Sequence, residues 1–371
     1  MRVALINTLS WNSSITKLTV SFANALSKNE EVLLILRDEP VWRKLDIIGK
    51  NVEVVFLKIP RIFHPTNIFM VSKIVKEIHN FEPDVINLRT GHPWICFGLL
   101  FLRKYPIVAA VDSVPREGEK VRIHEKIAAH LIIKTFSNQI ITFGTTVKYA
   151  VSERYKKPLE EIHVVPHGNY AEIFKQFTRS YPQQKEKYIL FLGRIVDYKG
   201  LEYLIRAEPY ITKEMPEVKI IIAGSCADFS PYEKLIINGS SYILYIRYIK
   251  DQMMAELFQK ADVVVLPYTE YSASGNIQLA YVFKKPIVAT NVGSMSEYIE
   301  DGKTGYLVPP KNPEELAKAI IKVLKDKELA KIMGEEGYNK MQTLLSWEVI
   351  AKKTKKVYEK AIKYHKKLKG D

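Results

Sequence analysis

Only two cysteines, Cys96 and Cys226, occur in the 371-residue chain, far apart and with no C-x-x-C spacing. Neither a disulfide framework nor a cysteine zinc site is readable, and a reducing compartment is the expectation. Long hydrophobic runs are missing too. The longest near the middle, residues 94–102, is half of the ~18 residues that read as a membrane span, and Arg103 and Lys104 close it. The opening MRVALINTLSWNSS carries one basic residue and a short apolar run ending at Asn7. That pattern is a first β-strand rather than a secretion signal. The expected location is cytoplasmic, extending to a peripheral position on the inner face of the membrane.

Several catalytic signatures are also absent. No G-x-G-x-x-G follows a strand-like run, and DGKTG at 301–305 is no P-loop because Glu297 stands five residues before Gly302. No D-x-D pair exists, and none of the eight histidines makes H-E-x-x-H. A dinucleotide oxidoreductase, a P-loop ATPase and a metal–carboxylate or zinc centre therefore lack support, and no resident metal or cofactor is expected. If phosphate is bound, side-chain cations and backbone amides must hold it. Zinc-finger spacing, RNP-type aromatic strands and arginine-rich arms are lacking, so nucleic acid is not an expected partner.

What is present is a chain with enough apolar residues for two cores. Hydrophobic residues make up 47% and charged residues 26%, which excludes a disordered or low-complexity chain. The length exceeds the ~250–300 residues at which single cores divide. The formal net charge of +14 favours anionic substrates or an acidic lipid surface, or reflects a solvated lysine-rich exterior.

Short β-branched runs alternate with helix-length amphipathic segments, the pattern of α/β architecture with parallel sheets. Strands are predicted at 2–6, 31–36, 52–57, 84–88, 107–111, 139–142 and 162–165. A second series is predicted at 188–192, 218–223, 242–246, 262–266, 287–289 and 306–308. The reading is a doubly wound Rossmann-like domain over 1–170, a polar linker over 171–187 and a second such domain over 188–345. An amphipathic helix over 346–371 follows, free to return to the first domain. Asn312, Pro313, Glu314 and Glu315 spell a helix start. Two such domains are expected to form a crevice at the carboxyl ends of their strands, with closure on a ligand.

Two segments carry chemistry. In YILFLGRIVDYKGLEYLIRA, Gly193 and Arg194 end the second series' first strand, and Lys199 and Gly200 open the next helix. A planar fork of donors beside a point charge suits a diphosphate, although both cations also read as ordinary surface charges. In the second, running from Asp262 to Pro310, Ser272, Ser274 and Gly275 lie where a helix begins. Helix N-termini present unpaired N–H groups to anions, and small residues let the anion approach; plain capping by Ser274 is the alternative.

These segments resemble nucleotide-sugar glycosyltransferases of family 4, the group 1 type with the two-domain GT-B fold. GR followed by KG, then KKPIVATNVGSMSE, DGKTGYLVPP and LSWEVIAKKTKKVYEKA keep that family's order and spacing. PHGNY at 166–170, the SG loop and the LAY helix are similar as well. The likeness covers the second domain strongly and the first weakly.

The resemblance implies transfer of a sugar from a nucleotide-sugar donor, linked to UDP or GDP, to a glycan or lipid-linked acceptor. It implies retention of configuration, with the leaving phosphate assisting deprotonation of the acceptor, and stabilisation by fixed cations without a metal. It implies that Arg194 and Lys199 hold the diphosphate and that the amides of Ser274, Gly275 and Asn276 face the phosphate or sugar. Gly193, Ser272 and Glu297 border that donor site, and His167 in PHG lies near the hinge. The family's glutamate pair, eight residues apart, falls on Tyr271 and Leu279; Glu270 and Gln278 keep the spacing one residue out of register. On the acceptor side Asn12, Ser13, Ser14, Asp112 and His92 are the candidates, Asp112 and His92 with a catalytic role. An anionic membrane surface is a further expected partner, from the mixed apolar and basic residues of 61–76 and 94–104. A nucleotide-sugar epimerase and a non-catalytic scaffold of the same fold are the alternatives.

Overall fold

The computed structural model describes residues 1–43, 47–90, 92–115, 121–175, 177, 186–270 and 275–370. The chain divides into two compact units, Met1–Gly168 together with Leu345–Asp371, and Asn169–Leu344.

In the first unit β1 (Arg2–Asn7), β2 (Glu31–Arg37), β3 (Val52–Leu57), β4 (Val85–Thr90), β5 (Ile107–Val111), β6 (Gln139–Thr142) and β7 (Ile162–Val164) form one sheet. Its order is β3-β2-β1-β4-β5-β6-β7, and the pairs are parallel. Parallel neighbours need crossover connections, supplied here by α1 (Ser14–Leu26), α2 (Asn67–Phe81), α3 (Ile95–Phe101), α4 (Ile123–His130) and α5 (Thr145–Tyr155). Helices on both faces bury the strands completely, which is why Val3, Ala4, Leu5 and Ile6 form an unbroken apolar run with no exposed surface.

The second unit opens with α6 (Ala171–Lys175), whose Ile173 and Phe174 are buried. The stretch 171–187 is thus not a linker from its start: Phe174 packs edge-on against Phe283 of the same unit, 6.1 Å between ring centres. The apolar pair was obscured by the polar residues around it, and 176 and 178–185 lie outside the described residues. The sheet holds β8 (Tyr188–Leu192), β9 (Lys219–Ala223), β10 (Tyr242–Tyr245), β11 (Val263–Leu266), β12 (Ile287–Thr290) and β13 (Gly305–Val308). Its order is β10-β9-β8-β11-β12-β13, again parallel. The crossovers are α7 (Leu201–Glu214), α8 (Ser230–Glu233), α9 (Asp251–Lys260), α10 (Gly275–Val282) and α11 (Met295–Tyr298), followed by α12 (Pro313–Lys325) and α13 (Lys327–Leu344). At the start of α12 the Asn312 side chain accepts from Glu315 N at 3.1 Å, with Pro313 in the first turn.

The last helix, α14 (Trp347–Lys369), belongs to the first unit. Ser346 caps it, and its apolar stripe buries Trp347, Ile350, Val357, Tyr358 and Ala361. Tyr358 faces the buried guanidinium of Arg89, which itself lies 4.0 Å from the centre of the Phe22 ring. Lys355 pairs with Glu30, and Lys28 with Glu348 at 2.5 Å. No described helix is long and apolar enough to cross a membrane.

Candidate functional site

In an open parallel sheet the strand order reverses at one point, and there the loops leaving two neighbouring strands diverge and leave room for a ligand. In the second unit this point lies between β8 and β11. The residues singled out by sequence gather around it. Gly193 and Arg194 leave β8; a short 3₁₀ turn, Asp197–Lys199, then delivers Lys199 to the start of α7. Gly200 has φ +64°, and a Cβ there would lie 1.9 Å from the Pro267 carbonyl oxygen, so only glycine lets this turn pass so close to the loop after β11.

The two cations are held differently. Arg194 is exposed and makes no ion pair among the described residues. Lys199 is half-buried, with its ammonium 3.8 Å from the centre of the Tyr268 ring. Tyr268, fully buried, is in turn fixed: Thr290 Oγ1 donates to its carbonyl at 2.5 Å. Thr269 N donates to the Tyr198 carbonyl at 2.9 Å, tying the loop after β11 to the Lys199 turn. Sequence reading missed Tyr268 and Thr290. An aromatic residue two positions past an apolar strand carries no signal until the lysine is seen above it.

Gly275 begins α10, where a Cβ would come 2.7 Å from the Tyr170 hydroxyl. Its backbone, with that of Asn276, forms the helix's first turn, whose N–H groups have no partner within the helix. The Asn276 side chain, as distinct from its backbone amide, is engaged within the unit. It donates to the Leu192 carbonyl and lies 3.4 Å from Tyr268 Oη, bracing the helix start against the end of β8. Ser272 and Ser274 lie outside the described residues, as does Tyr271. Glu297 is exposed on the single turn of α11, after β12. Of the residues near the usual glutamate positions, Glu270 is exposed and Gln278 is buried, with no hydrogen-bond partner for its amide among the described residues. Leu279 is buried as well, so no carboxylate pair stands at that spacing.

In the first unit the order reverses between β1 and β4. Asn12 is exposed in the connection after β1, and Ser14 is exposed at the first position of α1. Ser13 caps α1, its hydroxyl accepting from Ile15 N at 3.3 Å, which engages it in the helix start. His92 follows β4, its backbone N–H donating to Thr8 Oγ1 at 3.1 Å. Burial lowers the His92 pKa below the ordinary imidazole range, and the nearby charges of Arg37 and His124 act the same way. The ring is neutral at neutral pH, with Nδ1 unpartnered among the described residues.

His167, expected on the donor side, lies within the first unit. Its Nε2 is 2.8 Å from Asp112 Oδ1, and its ring stacks on Phe143 at 3.8 Å. Asp112, Arg89 and Glu125 line a pocket of about 350 Å³ at the end of β5. Among the described residues no cluster of three His, Cys, Asp or Glu could hold a metal ion.

Residues 172–340 match the family model of the glycosyl transferases group 1. Over 358 residues the chain is 28% identical to an uncharacterised glycosyltransferase of Methanocaldococcus jannaschii, covering 90% of each protein. It is 24% identical over 315 residues to the capsular polysaccharide biosynthesis glycosyltransferase CapM of Staphylococcus aureus, 78% of this chain and 80% of that one. Among solved structures, Anabaena HepE in complex with UDP and glucose superimposes with a TM-score of 0.72 at 16% identity, over 97% of this chain and 99% of that one. The fold is thereby defined as two Rossmann-like units of GT-B type, and the second unit carries the group 1 match that marks the chain as a glycosyltransferase enzyme.

Proposed function

We propose that the protein transfers a sugar from a nucleoside-diphosphate donor to a glycan or lipid-linked acceptor, with retention of configuration and without a metal ion. One observation carries the reading: an exposed Arg194 and a ring-supported Lys199 stand at the strand-order reversal of the second unit, beside the first turn of α10. HepE, on the same fold, was crystallised with UDP and glucose, which supports a nucleotide-sugar donor.

Glycosyl transfer breaks the bond between the anomeric carbon and the diphosphate oxygen and forms one to the acceptor oxygen. The acceptor's proton passes to the departing phosphate, so no carboxylate nucleophile is required. Negative charge grows on the diphosphate as the bond breaks. Fixed donors aimed at that charge lower the barrier because they need no reorganisation at the moment of reaction. Arg194 supplies a fork to two phosphate oxygens, Lys199 a point charge, and the N–H groups of Gly275 and Asn276 the dipolar end of α10. Glu297 is assigned to the sugar hydroxyls, in place of the missing carboxylate pair. Asp112, supported by His167, and the neutral His92 are assigned to the acceptor side.

The test is thermal unfolding with UDP, GDP, ADP and the matching sugar nucleotides, with and without EDTA, because a ligand held only by the folded state raises the melting temperature. Stabilisation by one nucleotide class that survives EDTA and disappears in Arg194→Ala is the expected result. Stabilisation that EDTA abolishes refutes metal independence. No shift with any nucleotide refutes the donor assignment.

A further inference from the structure

An apolar hollow of the first unit is lined by none of the donor residues. It is a groove of about 440 Å³ between α3, α4 and the loop before α2, within the ~300–1,000 Å³ of sites that hold small organic ligands. The two helices beside it expose more apolar surface than is usual for helices that cover a sheet. On α3 the residues Phe97, Leu100 and Phe101, at i, i+3 and i+4, are 57%, 48% and 67% exposed. On α4 Ile123 and Ile127 are exposed one turn apart, and Phe63 opposite them is 88% exposed. On α3 a different face is already buried, with Leu99 inward. This outward apolar face therefore serves something other than the core.

The segments that form the groove are rich in cations. Residues 61–63, 92–104 and 121–136 contain Arg61, Arg103, Lys104, Arg122, Lys126 and Lys134 against a single carboxylate, Glu125. Arg103 stands in the groove wall itself, its guanidinium 5.5 Å from the centre of the Phe136 ring. A peptide or a second copy of this chain would bring no particular demand for such an excess of cations. A hydrocarbon chain ending in phosphate does, because its tail seeks apolar cover and its head cations.

The groove is also continuous with chemistry. Pro93 and Ala128 line both the groove and the polar pocket at the end of β5 that contains Asp112. We propose that the groove holds the hydrocarbon chain of an anionic, phosphate-bearing lipid acceptor. The phosphate meets Arg61 and Arg122, which follow β3 and precede α4 and so share the carboxyl edge of the sheet with Asp112, and the sugar-accepting end enters the pocket at Asp112. The word acceptor rests on the glycosyltransferase reading above; the lipid-binding groove does not.

Trp94 lines the groove and provides an internal reporter. Its indole N–H donates to the Ile62 carbonyl at 2.6 Å, which fixes the ring in the wall. The probe is 11-bromoundecyl phosphate, whose bromine quenches a tryptophan that it touches. Saturable quenching is expected, lost in Trp94→Phe although Trp11, Trp42 and Trp347 remain. Leu100→Glu, a change at a half-exposed position, is expected to weaken it at least tenfold. The UDP-induced thermal shift of Leu100→Glu should equal that of the parent, which shows an intact fold.

Quenching that does not saturate, or that Leu100→Glu leaves unchanged, overturns the groove. Equal quenching by uncharged 11-bromoundecanol overturns the anionic head, and full competition by equimolar inorganic phosphate overturns the chain. A dimer in sedimentation that Leu100→Glu dissociates assigns the face to self-association instead. If no nucleotide shifts the parent while quenching behaves as expected, the transferase reading falls and the lipid site stands.

Discussion

His167 Nε2 and Asp112 Oδ1 lie 2.8 Å apart although 55 residues separate them in the chain. The contact follows from strand order. β5, β6 and β7 are neighbours in the sheet, so Asp112 after β5, Phe143 after β6 and His167 after β7 emerge side by side. Phe143 then clamps the imidazole face to face. If the pair orients the acceptor, Asp112→Asn, which keeps the shape and removes the charge, lowers the transfer rate about 100-fold. The UDP-induced thermal shift stays at the parent value. Full activity in Asp112→Asn would reduce the pair to a loop brace.

The two donor-side cations should differ in what they tolerate. Arg194→Ala and Lys199→Ala are each expected to lower kcat by about 10²–10³, the usual loss when one preorganised donor to a developing negative charge is removed. Near-normal turnover in both variants would refute the site. Arg194→Lys should rescue only part of the loss, because a point charge cannot replace a fork. Steady-state kinetics with each variant measures both effects.

Tyr268 is a positioning residue for Lys199, and its test must separate the ring from the hydroxyl. Tyr268→Phe keeps the ring beneath the ammonium and should bind UDP like the parent. Tyr268→Leu removes it and should weaken binding by about 2- to 30-fold, the range that corresponds to ~0.5–2 kcal/mol of cation–π attraction. Calorimetric titration of both variants decides; equal affinities would mean that Lys199 is placed by its turn alone.

Gly168 is packed so closely against Trp347 that a Cβ would lie 2.6 Å from the indole ring. Gly168→Ala is therefore expected to destabilise the first unit by about 1–3 kcal/mol through overpacking. Trp347→Leu should relieve much of that clash, so the double variant is more stable than the sum of the two single changes. Urea unfolding of the four proteins closes the cycle, and strict additivity would contradict the contact.

Acid stability carries a signature of its own. Burial pushes the His163 imidazole down to about 4, with the charges of Lys360 and Lys148 acting in the same direction, while Nε2 pairs with Gln139 Oε1 at 2.6 Å. Its unfolded value is about 6.5. As the pH falls through 6.5 the unfolded chain takes up the proton first, so His163's stabilisation is complete above that value and is lost progressively down towards pH 4. Urea midpoints should fall less between pH 7 and pH 5 in His163→Gln than in the parent. Equal falls would show that His163 titrates normally.

The sequence by itself determined a great deal. Each predicted strand exists, most within one residue of its observed ends, because strands buried on both faces are unbroken β-branched runs that no neighbour can disguise. The Asn312–Pro313 helix start was equally legible, since capping is a local matter. So were Gly193, Arg194, Lys199 and Gly200, whose types at a strand end carry their own chemical meaning. Tertiary structure alone decided the rest. The cover of Lys199 by Tyr268, the hydrogen bond from the Asn276 side chain to the Leu192 carbonyl and the meeting of His167 with Asp112 join residues whose spacing follows no helical or strand period. The apolar pair Ile173–Phe174 was lost in a polar stretch, and which of the apolar residues of 94–104 face outward was not readable from their order. Sequence periodicity reports that a side chain is apolar and on which face it stands. Only the packed neighbours decide whether that face is covered, and the sheet order decides which distant loops share a site.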